Sequence, residues 1–124
     1  MARQAEGRLV KAALALIRGR GGRPFKIQGG MDSYQEVGIP DILCCYRGMF
    51  LGLEAKQPGE KLSPKQQLVL DEIVAAGGLA QAFTTVEEVA DLLTYVEEWS
   101  SIEDLASYTD RSRRSNSRSF GGPD

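Results

Sequence analysis

The sequence predicts a single α/β domain with a central mixed sheet, its elements running in the order α-β-β-β-α-β-α. Three observations carry this expectation. Residues 41–56 hold two apolar, strand-length segments joined at Arg47-Gly48. Downstream, two helices open with capping-box spacing, Ser63 with Gln66 and Thr85 with Glu88. A short apolar segment, 79–84, lies between those helices, which is how a sheet gains a strand through a helical crossover. A chain of 124 residues, 26% charged and 42% hydrophobic, suits one globular domain with one core.

The first helix is expected over 3–18, where Leu9, Ala12, Ala13, Leu16 and Ile17 recur at helical spacing before glycines at 19, 21 and 22 end it. Residues 24–28 form a short strand, and 29–40 a loop rich in turn formers. Strands follow at 41–46 and 49–56. Ser63 then caps a helix with Pro64 at its first position and Gly77-Gly78 at its end. The helix opened by Thr85 carries Val89, Leu92, Leu93 and Val96 on one face, and a last short helix is expected over 101–107. The domain is drawn as 1–108. Residues 109–124 contain "RSRRSNSRSFGGPD", which has almost nothing to bury and is expected to be a disordered tail.

Composition narrows the function classes. No apolar run approaches the roughly 20 residues of a membrane span, which leaves a cytoplasmic location as the default. Cys44 and Cys45, the only cysteines, are neighbours that point to opposite faces of a strand, so core packing fits better than a disulfide or a zinc site. With no histidine in the chain, one class of general base is absent. The net charge of −2 conceals a polarity. Residues 1–30 carry seven bases against Glu6, a net of +6, whereas 87–110 carry eight acids and no base, a net of −8. The basic third, with Arg18, Arg20, Arg23 and Lys26, is the side that suits a polyanion; the plain alternative is two solvated faces of opposite sign.

A hairpin centred on Arg47 and Gly48 pairs residues whose numbers sum to 95. Tyr46 then faces Met49, Leu43 faces Gly52, and Asp41 faces Glu54, with Lys56 on the same face as the two acids. Leu51, Leu53 and Ala55 point to the core, and the acids are expected on a solvent-facing surface. Facing carboxylates repel by roughly 0.2–1 kcal/mol unless neutralised. Lys56 can do so as a structural salt bridge. A hard divalent cation does so better, since Mg²⁺ takes one or two carboxylates together with water and phosphate oxygens.

Gly38-Ile-Pro-Asp41 followed by Glu54-Ala-Lys56 resembles the PD-(D/E)xK nuclease signature. The surrounding text, "GIPDIL…GMFLGLEAKQPGEKLSPKQQ…AAGG", is similar in particular to the VRR-NUC branch and its small stand-alone viral or phage members, over residues 6 to about 93. The resemblance implies a restriction-endonuclease-like domain and a metal-dependent DNA endonuclease. Asp41 and Glu54 match the metal-binding acids, with the Ala55 backbone carbonyl as a further ligand. Lys56 matches the lysine that positions the attacking water or stabilises charge on the phosphate. Glu6 matches an acid on the first helix that reaches the metal directly or through water; it is equally what a helix dipole favours in a first turn. Gln66 matches a glutamine facing the active site, yet it also occupies the capping-box position of Ser63. Gly29, Gly30, Ser33 and Gln35 lie on the loop entering the site, where they can touch phosphate or simply form turns.

The implied cofactor is Mg²⁺ or Mn²⁺. The implied substrate is branched DNA, because stand-alone members resemble Holliday-junction resolvases, and symmetric cutting of a junction calls for a homodimer. The alternatives are a nuclease that nicks or trims linear or single-stranded DNA without junction preference, and an inactive nucleic-acid-binding module.

Overall fold

A computed structural model describes residues 2–28 and 36–99. Three helices and four strands follow the expected order: α1 (Ala2–Gly19), β1 (Arg23–Lys26), β2 (Ile42–Tyr46), β3 (Met49–Ala55), α2 (Pro64–Ala75), β4 (Leu79–Phe83) and α3 (86–99). The strands lie in the spatial order β1-β2-β3-β4, antiparallel across the first two junctions and parallel between β3 and β4. The parallel pair requires a crossover, which α2 provides. The expected helix at 101–107 and the tail at 109–124 lie outside the described residues, as do Gly29, Gly30, Ser33 and Gln35.

The β2–β3 register is the one that the centred turn demands, with Ile42 opposite Leu53, Leu43 opposite Gly52 and Tyr46 opposite Met49. Arg47 at φ 53° and Gly48 at φ 81° make the two-residue turn, both in the left-handed region that matches the twist of the flanking strands. Ile42, Cys44, Tyr46, Leu51, Leu53, Ala55 and Phe83 line one face of the sheet. Against it pack Val10, Ala13, Leu14 and Ile17 of α1 and Val89, Leu93 and Val96 of α3, all in one core. The buried stripe of α1 is turned slightly from the expected one: Val10 and Leu14 are inside, Leu9 and Leu16 are at its margin, and Ala12 is exposed. An alanine-rich helix offers two adjacent apolar stripes, and the larger side chains that meet the sheet decide between them. Cys44 lies in the core, where burial pushes its thiol up to about 12, while Cys45 faces out.

Among the described residues the opposite face is only half covered. The α2 helix lies over its β3–β4 part, so closely that a Cβ on Gly52 would sit 2.7 Å from Ile73 Cδ1 and 3.2 Å from Pro40 Cγ. Glycine at this position is what lets the helix approach. Over β1 and the outer part of β2 and β3 no helix lies among the described residues, and Phe25, Cys45 and Phe50 remain exposed.

Both capping boxes form. Ser63 Oγ accepts from Gln66 N (3.1 Å) while Gln66 Oε1 accepts from Ser63 N (2.9 Å). Thr85 Oγ1 accepts from Glu88 N (3.3 Å), and Glu88 Oε1 in return accepts from the main-chain N–H groups of Thr84 (2.6 Å) and Thr85 (3.0 Å). These bonds to the ionised form hold the Glu88 carboxyl below its usual range.

Candidate active site

Asp41 immediately precedes β2, and Glu54 is the penultimate residue of β3, so continuing the register places them opposite each other. Their positions are fixed by hydrogen bonds as well as by pairing. Asp41 Oδ2 accepts from the Ala55 main-chain N–H (2.8 Å), and Asp41 O accepts from Ile27 N (2.8 Å), which carries the β1–β2 pairing one residue beyond the strand ends. The Lys56 main-chain N–H donates to Phe83 O (2.9 Å), continuing the parallel pairing past Ala55 and fixing the backbone from which the lysine projects.

Glu54 departs from the solvent-facing position expected of it. It is 5% exposed, the only buried charged residue among those described. Alternation along β3 predicts one open face; instead α2 roofs that face, and every residue from Leu51 to Ala55 is buried. Burial, with the Asp41 charge as the second cause, pushes the Glu54 carboxyl up to about 8 against the opposing pull of Lys56. The buried acid is not left without partners. Gln66 Nε2 donates to Glu54 Oε2 at 3.2 Å, and Asp41 is hydrogen-bonded to it through side chain and backbone.

Gln66 therefore makes both contacts that its sequence position left open, one to the cap and one to Glu54. Its amide oxygen closes the capping box on Ser63 and its amide nitrogen reaches the buried acid. A side chain with one acceptor end and one donor end, placed at the third residue of a helix that starts beside the site, does both without rearrangement. The two roles separate experimentally. Gln66→Glu retains an oxygen for the Ser63 N–H but loses the donor and adds a like charge beside Glu54. Gln66→Ala loses both, at a capping cost of about 1 kcal/mol. We expect DNA cleavage by either variant to fall more than tenfold, with Gln66→Ala the less stable of the two in urea unfolding at pH 5. Unchanged turnover in both would reduce Gln66 to a cap.

The first helix delivers Glu6 to the same cluster. A hydrogen bond with Glu60, then burial, raises the Glu6 carboxyl above its ordinary value, with further influence from Lys56 and Asp41. Glu60 was not among the expected site residues. It lies in the turn after β3, where its main-chain N–H donates to Gln57 O (3.0 Å) and its Oε1 accepts from Gln57 N (2.7 Å). The bond with Glu6 lowers the Glu60 carboxyl as it raises its partner. Only its nearness in sequence to Lys56 could have pointed to it.

Among the described residues no group of three or more His, Cys, Asp or Glu side chains forms a ready-made metal cage. The donors nevertheless suit a hard, strongly hydrated cation, which takes one or two carboxylates and keeps its remaining sites for water and phosphate. Asp41 and Glu54 are oxygen donors held together, and the second is a buried acid that a cation would keep ionised.

The arginines expected at a nucleic-acid interface lie elsewhere. Along α1, Arg20 is about 21 Å from Glu6. Arg23 pairs with Cys45, about 13 Å along the strand from Asp41. Arg20 is engaged within the molecule: its Nη1 donates to Ala90 O and Thr94 Oγ1 (3.2 Å each) and lies 3.5 Å from Glu97 Oε2. Glu97 also accepts from the Tyr46 hydroxyl. The acidic helix thus packs beside the basic end of α1 instead of lying apart from it, because Val89, Leu93 and Val96 share one core with Val10, Ala13, Leu14 and Ile17 of α1. Arg18 is exposed in the last turn of α1, and Lys26, opposite Ile42, is the nearest of the four to the acids.

No family model and no curated protein matches the chain. Among solved structures, the chain is similar to a "VRR_NUC domain" at 25% sequence identity with a TM-score of 0.59, over 73% of this chain and 95% of that one. The fold is that of a VRR_NUC-like, restriction-endonuclease-like domain, and the likeness supports a nuclease.

Proposed function

We propose that the protein is a metal-dependent DNA endonuclease that hydrolyses phosphodiester bonds, and that it acts on branched DNA as a homodimer. The observation that carries the reading is the pair Asp41 and Glu54, held against each other by Ala55 N and Gln66 beside Lys56. Similarity to a VRR_NUC domain supports it. Asp41, Glu54 and the Ala55 carbonyl, with Glu6 directly or through water, would hold Mg²⁺ or Mn²⁺; when bound, such an ion acidifies water and polarises the scissile phosphate. The protein's own contributions are positional and electrostatic. Gln66 keeps the Glu54 carboxylate facing Asp41. Lys56 offers a cation to the charge that builds on the phosphate oxygens. The roof formed by α2 keeps water from the inner side of the acids, which strengthens each of these interactions.

The test compares four-way junctions with linear duplex in Mg²⁺, Mn²⁺, Ca²⁺ or excess EDTA, alongside light scattering at assay concentration. Cleavage is expected with the first two ions, little turnover with Ca²⁺, none in EDTA, and faster cutting of junctions by a dimer. Cleavage in excess EDTA would contradict the metal role. A monomer that cuts both substrates alike would point to a nuclease without junction preference.

A further inference from the structure

The half of the sheet face that α2 leaves open carries the acid pair at one end and two exposed aromatic rings across the rest. The register sets out three rows. Asp41 and Glu54 form the first, Phe25, Leu43 and Gly52 the second, and Arg23, Cys45 and Phe50 the third. Successive rows are about 7 Å apart and neighbouring strands about 5 Å. Phe25 therefore lies roughly 12 Å from Glu54, and Phe50 about 13 Å from it along the same strand. Phe25 is 50% exposed and Phe50 47%. The Arg23 guanidinium lies over the Phe25 ring, 4.1 Å from its centre, so one aromatic already carries a flat cation.

Resting on the nuclease reading, we propose that this face is a stacking platform for unpaired nucleotides next to the scissile phosphate, with bases lying on Phe50 and on the Arg23–Phe25 pair. Flat aromatic rings stack on any base, and guanidinium planes do the same while meeting the backbone charge. The charge of the surface suits a polyanion. Away from the acid pair at one end, the only charged strand residue on this face is Arg23, and Arg47 at the β2–β3 turn is an exposed further cation; Lys26, opposite Ile42, points to the other face. A few nucleotides of extended backbone span the distance from the rings to the acids. Paired bases present no free π-face to a flat sheet, so the platform favours DNA that is open at the cleavage point, as a branch or flap is.

The test is binding in EDTA, read by fluorescence anisotropy, of labelled oligo(dT) and of a blunt duplex to the full chain. Both rings are half exposed, so Phe25→Ala and Phe50→Ala should fold, which thermal melting checks. Each substitution is expected to weaken oligo(dT) binding by roughly five- to a hundredfold and duplex binding less than twofold. Phe50→Trp should restore single-strand affinity, which a mere loss of charge or fold would not permit. Equal weakening for duplex and single strand, or no weakening, overturns the platform. A change of oligomeric state in the alanine variants also overturns it, and assigns the rings to a protein interface. The two readings fail separately. Ring-dependent oligo(dT) binding without any cleavage in Mg²⁺ would refute the nuclease and keep the platform. Cleavage indifferent to both rings would do the reverse.

Discussion

Asp41→Asn, Glu54→Gln and Lys56→Ala are each expected to lower DNA cleavage by at least a hundred- to a thousandfold, the range lost when one preorganised charge is removed from a hydrolytic site. The effect should be on turnover and not on folding. Asp41→Asn keeps an oxygen for the Ala55 N–H, so the bond that ties β2 to β3 below the site can persist. Lys56 is held to β4 through its main-chain N–H, which the alanine retains. Glu54→Gln keeps a group that Gln66 can bond and replaces the buried acid by a neutral amide of the same shape. Cleavage rates in Mg²⁺ beside circular dichroism of the same preparations decide it. Near-normal cleavage by Asp41→Asn or Lys56→Ala would remove these residues from the chemistry.

The second large effect is on stability, and its sign follows from the raised Glu54 carboxyl. Below pH 4.5 the group is protonated in both the folded and unfolded chains and makes no difference. Between 4.5 and about 8 the unfolded chain ionises while the folded one keeps its proton. Stability is therefore lost as pH rises through that window, by up to about 1.4 kcal/mol per pH unit, and the loss levels off above it. A divalent cation favours the ionised form and should reverse the trend. Thermal melts in EDTA are expected to show a lower Tm at pH 8.5 than at pH 5.5, a smaller difference in Glu54→Gln, and recovery on adding Mg²⁺ at the higher pH. Glu6 adds to the same trend and Glu60 opposes it, so the comparison with Glu54→Gln isolates the buried acid. A wild-type pH dependence identical to that of Glu54→Gln would show that Glu54 does not titrate in this way.

Much of this site was legible in the sequence because its decisive geometry is local. A two-residue turn at Arg47-Gly48 sets a register, and the register alone brings Asp41 opposite Glu54. The capping boxes are local for the same reason. What the sequence left unread depends on contacts between distant segments. Nothing in the alternation of β3 reveals that α2 roofs the Glu54 face; the one trace is Gly52, whose missing side chain admits Ile73. Glu60 joins Glu6 only when a turn and the first helix meet. Charge totals along the chain likewise gave two poles, whereas the fold sets Arg20 beside Glu97. Runs of like charge state how much charge a segment carries but not which way it faces.

The β2–β3 hairpin and the α2–β4 crossover differ in when they can form. A hairpin with a tight turn closes in microseconds, since little chain entropy is lost in joining near neighbours. Parallel pairing of β3 with β4 must wait for α2 to fold and dock across it. The two acids can thus meet while still in water, and Glu54 loses its solvent only in the late step. Where the cost of dehydrating that carboxylate arises after the main barrier, protons and cations move the unfolding rate and leave the folding rate unchanged, which stopped-flow measurements of both rates at pH 5.5 and 8.5 read directly.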